Sequence, residues 1–329
     1  MMLSKIRTRV NYFYRIFPAY LGGGNSQLTF WHETPKVNSH CPFDEIGEYY
    51  MPFLEKANYE GPFDHRGIPL LDYRGKIGRQ YNPIAVAQYG LGNYNLYCRT
   101  GNEGYLDILL KQADFLCDGL ENNASGIPVW NHDFDWEYRE VLKAPWYSGL
   151  AQGQGISLLI RAHCVTKSER YLETANRAFL SFEKDISEGG VRYEDEDGQI
   201  WLEEYIADPP THILNGFIWA LWGLYDRFLY LGDSESRVLF DRAVITLKSN
   251  LSSYDTGYWS LYEKSNTKLK MLASPFYHAL HIVQMEIMAR LTNENIFRDY
   301  ADKWADYSRS ALKRGRAYFN KAVFKLLYY

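Results

Sequence analysis

The chain has 329 residues, of which 46% are apolar, 23% charged and 16% aromatic, with a net charge of −4. This length and apolar content exclude a disordered or collagen-like chain, and no window reaches the eighteen uninterrupted apolar residues of a membrane span. The charge offers no long-range attraction for a polyanion, which excludes sequence-wide nucleic-acid binding and leaves any acidic ligand to local Lys or Arg.

The first segment, Met1 to Tyr20, interleaves Lys5, Arg7, Arg9 and Arg15 with aromatics. It has no apolar stretch ending in a small-residue cleavage site, so no signal peptide and a cytoplasmic location are expected. Residues 1–80 stand apart from the pattern that follows and read as an N-terminal extension packed on a catalytic domain of residues 81–329. No Pro- or Ser-rich linker divides the two. Cys41, Cys98, Cys117 and Cys164 are scattered, which suggests neither a disulfide framework nor a zinc site.

From residue 83 onward, two kinds of helix alternate. Four are apolar nearly all round, at roughly Pro83 to Cys98, Gly149 to Cys164, His212 to Leu231 and His278 to Leu291. Each is followed by a helix with a one-sided stripe, such as Leu172, Ala175, Phe179 and Phe182. A helix apolar all round is buried, whereas a striped one covers a core and faces water. Ile84, Leu150, Ile213 and Ala279 recur at separations of 66, 63 and 66 residues, an internal repeat. Inner helices ringed by outer ones predict a mainly α fold, an incomplete α/α toroid of about four helix pairs. Asp233 and Asn293 are expected to cap outer helices, and Thr211 to open an inner one. The loops entering the inner helices read as β-hairpins, for example Gly190 to Tyr205 around the turn Asp197-Gly198.

Polar residues early in these buried helices, Gln88, Gln152, Gln154, Asn215, His281 and Gln284, need partners and predict a polar cleft at this end of the toroid. The 28 tyrosines and 9 tryptophans suit a sugar-binding cleft. In Trp201-Leu202-Glu203-Glu204-Tyr205, strand alternation places Glu203 and Tyr205 on one side and Glu204 on the other. The last unit adds Tyr262, Lys264, Lys268 and, just ahead of its inner helix, Tyr277. His278 and His281 lack the Glu of a His-Glu-x-x-His site, so hydrogen bonding rather than metal binding is expected. No Gly-rich phosphate loop follows a strand, so no cofactor is expected, and Gly153 and Gly155 read as helix-packing positions.

The segments Tyr81-Asn82-Pro83-Ile84-Ala85-Val86-Ala87-Gln88-Tyr89-Gly90-Leu91, Pro145-Trp146-Tyr147-Ser148-Gly149-Leu150-Ala151-Gln152-Gly153-Gln154-Gly155, Glu203-Glu204-Tyr205, Leu214-Asn215-Gly216-Phe217, Leu224-Tyr225-Asp226 and Tyr254-Asp255-Thr256-Gly257 occur in this order. In that order and spacing, from about residue 81 to about 310, the chain resembles the D-glucuronyl C5-epimerases. The resemblance implies an α/α toroid that converts D-glucuronic acid to L-iduronic acid within heparosan or heparan-type chains, with an anionic polysaccharide as partner and a possible homodimer. It places the family's functional residues on Glu204, Tyr205, Tyr262 and Tyr277, with Glu204 as base and Tyr277 as acid. Substrate-binding candidates are Tyr89, Trp146, Tyr147, Gln152, Gln154, Asn215, Lys264, Lys268 and His281. The family's arginine three residues after Tyr262 is Ser265 here, with Lys264 or Lys268 as substitutes. Animal members carry a membrane anchor and a β-rich insertion not matched in this chain, so a bacterial-type catalytic unit is the expected analogue. A polysaccharide lyase, a glycoside hydrolase pairing Glu204 with Asp133 or Asp135, and a non-catalytic polysaccharide-binding protein are the rival readings.

Overall fold

The computed structural model describes residues 27–138, 141–265 and 267–328. The reading of Met1 to Tyr20 lies outside the described residues. Two short helices, α1 (Gln27–Trp31) and α2 (Leu54–Ala57), precede the repeat. Four inner/outer pairs follow: α3 (Pro83–Thr100) with α4 (Glu103–Asp118), α5 (Gly149–Thr166) with α6 (Glu169–Glu183), α7 (Leu214–Leu231) with α8 (Ser234–Asn250), and α9 (Pro275–Thr292) with α10 (Asn295–Arg309). A final helix, α11 (Ala311–Tyr328), packs on α10. The inner helices α3, α5, α7 and α9 pack side by side in chain order with each outer helix on its own inner partner, an incomplete α/α toroid.

Local chemistry sets most boundaries. Asn82 accepts the N–H groups of Ile84 and Ala85 ahead of Pro83, and Ser148 and Ser274 cap α5 and α9 in the same way. Asp233 caps α8 through the Ser236 N–H. Gly101 and Gly232 close α3 and α7 in the left-handed conformation. Glycines let α5 pack directly against α7, where a Cβ on Gly223 would lie 2.4 Å from the Gly153 Cα. Gly155 makes room for the Trp130 ring in the same manner.

Three expected boundaries move. The third inner helix starts at Leu214, two residues later than expected, because His212 adopts a left-handed φ of 50° and Thr211 therefore lies outside the helix. The fourth starts at Pro275, so Tyr277 and His278 belong to its first turns instead of preceding it. Asn293 ends α9 at φ 56° and does not cap α10, because asparagine tolerates the left-handed region that terminates a helix.

Each inner helix is entered from a turn-rich loop. Hairpin β1–β2 (Leu71–Asp72, Arg79–Gln80) precedes α3; β3–β4 (Leu120–Asn122, Pro128–Trp130) and β5–β6 (Trp136–Glu137, Val141–Leu142) precede α5; β7–β8 (Arg192–Glu194, Ile200–Leu202) precedes α7. Isolated bridges Asp255–Ser260 and Leu261–Leu272 take the same place ahead of α9. In β7–β8, Arg192 pairs antiparallel with Leu202, and Gly198 turns the chain at φ 73°. The loops therefore gather at the N-terminal ends of the inner helices.

Toward the other end, residues 47–53 thread between the helices. Asn95, Arg161 and Asp226 are each the thirteenth residue of α3, α5 and α7 and so lie at one level. Arg161 pairs with Asp226 at 2.6 Å, both fully buried, and its Nε donates to the Gly47 carbonyl. The Tyr50 hydroxyl donates to Asp226 at 2.6 Å, and the Asn95 amide donates to the Met51 carbonyl while accepting from the Tyr49 N–H. Among the described residues, no helix is long and apolar enough to cross a membrane.

Candidate functional site

At the loop-bearing end the inner helices surround a cavity. Its wall takes the second residues of the four inner helices, Ile84, Leu150, Asn215 and Phe276, and the sixth residues of three, Gln88, Trp219 and Leu280. Residues four apart share a helix face, so these positions look inward together. Tyr277, Glu204, Tyr205 and Trp146 complete the wall on the loop side, and Met51 to Phe53 line it as well.

Glu204 is 5% exposed, and the Asn215 amide donates to its Oε2 at 3.1 Å. A Cβ on Gly216 would lie 2.2 Å from that oxygen, so only glycine lets the carboxyl rest on the first turn of α7. Burial lifts the Glu204 carboxyl to about 8, although hydrogen bonding from Tyr205, Asn215 and Tyr262 favours the ion. Desolvation, with the negative charge of Glu204 added to it, pushes the Tyr205 and Tyr262 hydroxyls well above the usual tyrosine range. Tyr262 also receives the Leu214 N–H on its carbonyl and packs its ring 4.9 Å from that of Tyr277. The arrangement is one carboxyl close to neutral pH with phenols beside it, in a confined and largely apolar space, which suits proton transfer.

Glu203 turns away from this cavity. It accepts from both the backbone N–H of His212, at 3.1 Å, and lies 2.5 Å from its Nδ1, while His212 stacks on Trp201. The expected alternation therefore fails for Tyr205, which joins Glu204 in the cavity wall: strand β8 ends at Leu202 and pleating no longer dictates sides.

Among the other sequence candidates, Trp146 lines the cavity and a neighbouring groove, where Tyr147 also lies. Gln152 instead faces the outer layer, accepting from Trp130 N and donating to Pro128 O, Ala178 O and Ser181. Gln154 is fully buried, away from the cavity wall, and receives Gln88. His281 shares the Ser260 hydroxyl with His278, whose Nε2 meets the Trp304 carbonyl, and burial holds both imidazoles below their usual range. Tyr89 packs against Phe63. The Lys264 ammonium bonds Asn250 over the Trp201 ring, and Lys268 is exposed on its loop. Gln284 donates to the Asn215 carbonyl. Asp133 and Asp135 are exposed and absent from the wall, with Asp135 held by Lys143, so neither pairs with Glu204. Sequence reasoning missed Glu33, Lys36, Lys56 and Tyr73 on the wall. All four come from residues 27–80, whose aromatic richness was the available signal.

Residues 124–306 match the D-glucuronyl C5-epimerase C-terminus family. The chain is 35% identical over 187 residues to the D-glucuronyl C5-epimerase of Caenorhabditis elegans, covering 52% of this chain and 30% of that protein. It is 28% identical over 203 residues to an uncharacterized protein of Methanocaldococcus jannaschii, covering 61% of this chain and 64% of that one. The match thus spans less than two thirds of either relative. Solved structures with a similar backbone include the unsaturated glucuronyl hydrolase of Bacillus sp. GL1, with TM-score 0.47 and 14% identity over 68% of this chain and 61% of that one. A family 76 glycoside hydrolase (mannosidase) of Bacteroides thetaiotaomicron aligns with TM-score 0.47 and 15% identity, over 72% of this chain and 61% of that one. The family match covers more than half of the chain, including Glu204, Tyr205, Tyr262 and Tyr277, and the chain belongs to the D-glucuronyl C5-epimerase C-terminus family.

Proposed function

We propose that the cavity epimerises glucuronate at C5 within a heparosan- or heparan-type polysaccharide. The observation that carries this reading is Glu204, a buried carboxyl lifted to about 8 that shares one cavity with Tyr205 and Tyr277. The C5 hydrogen lies α to the sugar carboxylate. In ionised form Glu204 takes that proton, and the electron pair of the C–H bond moves into the carboxyl group as a dianionic enolate. Tyr277 then donates its phenolic proton to C5 from the opposite face, forming the new C–H bond and inverting the centre. Tyr205 and Tyr262 stabilise the charge that develops on the carboxyl oxygens, since donors in a confined site act far more strongly than in water. The reverse reaction exchanges the roles of Glu204 and Tyr277.

The test is incubation with heparosan in deuterium oxide. Epimerisation incorporates deuterium at C5, produces iduronate and leaves chain length unchanged. Unsaturated, shortened chains would instead make the protein a lyase, since the same carbanion loses its C4 substituent when that oxygen is protonated. Tyr277→Phe should abolish inversion with little loss of binding; an active Y277F protein would remove Tyr277 from the acid role.

A further inference from the structure

An anionic sugar entering this cavity needs a counter-charge, and the loop lysines do not supply it: Lys264 is bonded to Asn250 and Lys268 is exposed away from the wall. Among the described residues, the cations that line the cavity are Lys36, which is exposed, and Lys56, which is 5% exposed. Both precede the segment that matches the family. Lys56 sits on α2 beneath the rings of Phe30, Trp31 and Phe53, with its Nζ 4.7 Å from the centroid of the first.

We infer that Lys56 receives the carboxylate of the bound uronate, so that residues 27–80 complete the substrate site of the toroid. This rests on the reading of the cavity as a uronate site. An ammonium has three donors. One goes to the Phe30 carbonyl at 2.6 Å, and Glu33, at 4.0 Å, is too distant for a hydrogen bond. Glu33 instead accepts the N–H groups of Glu55 and Lys56 at the start of α2. Burial lowers the ammonium to about 8 against the pull of Glu33, its buried ion-pair partner, and of Glu55. A carboxylate arriving in the cavity can take the donors that Phe30 leaves over and gains a charge-assisted hydrogen bond. The same contact withdraws charge from the carboxyl group and so favours release of the C5 proton.

The test compares two ligands on full-length protein: a glucuronate-containing heparosan oligosaccharide and its carboxyl-reduced counterpart, in which glucose replaces glucuronate. Wild type should prefer the acid, and Lys56→Met should weaken acid binding by about tenfold to a hundredfold while leaving the reduced ligand unaffected. Lys111→Met, on the exposed face of α4 and absent from the cavity wall, serves as the control. If K56M keeps the full preference for the acid, or loses both ligands equally, the assignment is overturned. Should K56M not fold, 13Cε-lysine labelling of wild type replaces it: the Lys56 titration midpoint should rise with the acid and stay in place with the reduced ligand, and no rise with the acid rejects the inference. C5 deuteration by wild type is scored separately. Its absence would count against epimerisation, whereas the two-ligand comparison decides on Lys56 in either case.

Discussion

The two ends of the inner-helix ring place charge in opposite ways. At the level of Asn95, Arg161 and Asp226, the buried charges are paired: Arg161 faces Asp226, Tyr50 donates to Asp226, and Asn95 holds the 49–51 backbone. At the cavity, Glu204 is buried without a cation of its own, and Gln88 Oε1, Asn215 Oδ1 and Trp219 Nε1 have no hydrogen-bond partner among the described residues. Buried polar groups are ordinarily satisfied, so the first region is built for folding and the second holds groups in reserve for a ligand. The difference teaches that burial of charge by itself does not mark a site; a buried carboxyl that faces a cavity without a cation of its own is the stronger sign.

The largest expected effect separates the two regions by activity. Glu204→Gln should lower C5 exchange by about 10²- to 10⁴-fold, and the wild-type rate should rise with pH toward a midpoint of about 8 as the carboxyl ionises. The folded carboxyl titrates above its unfolded value, so the native state keeps a proton that the unfolded chain releases. Glu204 therefore lowers stability progressively as pH climbs from about 4.5 to about 8. Thermal melts of E204Q should match wild type at pH 4 and exceed it at pH 8; a lower Tm at pH 8 would mean that Glu204 serves the fold.

Asp226→Ala does the converse. It strands Arg161 in the core and should cost about 3–5 kcal/mol in denaturant unfolding, with C5 exchange per folded molecule retained. Equal loss of exchange and stability would erase the proposed separation of the two ends.

Gly216→Ala sharpens the comparison at one carbon atom. Alanine normally gains about 1 kcal/mol over glycine inside a helix, yet here its Cβ meets Glu204 at 2.2 Å. The clash should reverse that gain, to a net loss of about 1–3 kcal/mol, and displace the carboxyl, which a drop in C5 exchange larger than the loss of folded protein would reveal. The smallest effect is expected for Trp219→Phe, which removes an unpartnered N–H and keeps most of the ring. Its unfolding free energy should stay within about 1 kcal/mol of wild type, while KM for the oligosaccharide rises. An unchanged KM would show that the indole nitrogen meets no ligand.

Much of this arrangement was legible beforehand. Glutamate and tyrosine at 204 and 205, and tyrosines 262 and 277, were singled out through their motif context, and the structure draws Glu204, Tyr205 and Tyr277 to one wall with Tyr262 beside both Tyr277 and Glu204. The glutamines were less tractable. Leu150 and Gln152 are two residues apart, a rotation of about 200° on a helix, so when Leu150 faces the cavity Gln152 must face the outer layer and satisfy Trp130 and Ser181. His281 lies five residues after Phe276, about 140° away, and meets Ser260 for the same reason. A helix that is apolar all round gives no phase signal, so its sequence does not tell which polar residue looks inward.

The sequence by itself determined the ring: the 3.6-residue stripes, the repeat near 65 residues, the cap at Asp233, and Gly153, which lets α5 approach α7. These are local or periodic properties, carried by neighbours along the chain. Only the tertiary structure decided that residues 27–80 supply Lys56 and Tyr73 to the cavity, and that Glu203 is tied to His212 while Glu204 is left facing ligand space. Those outcomes depend on which distant segment lies against which helix end. Contacts between residues far apart in the chain are chosen by packing of the whole, and no periodicity within either segment records them.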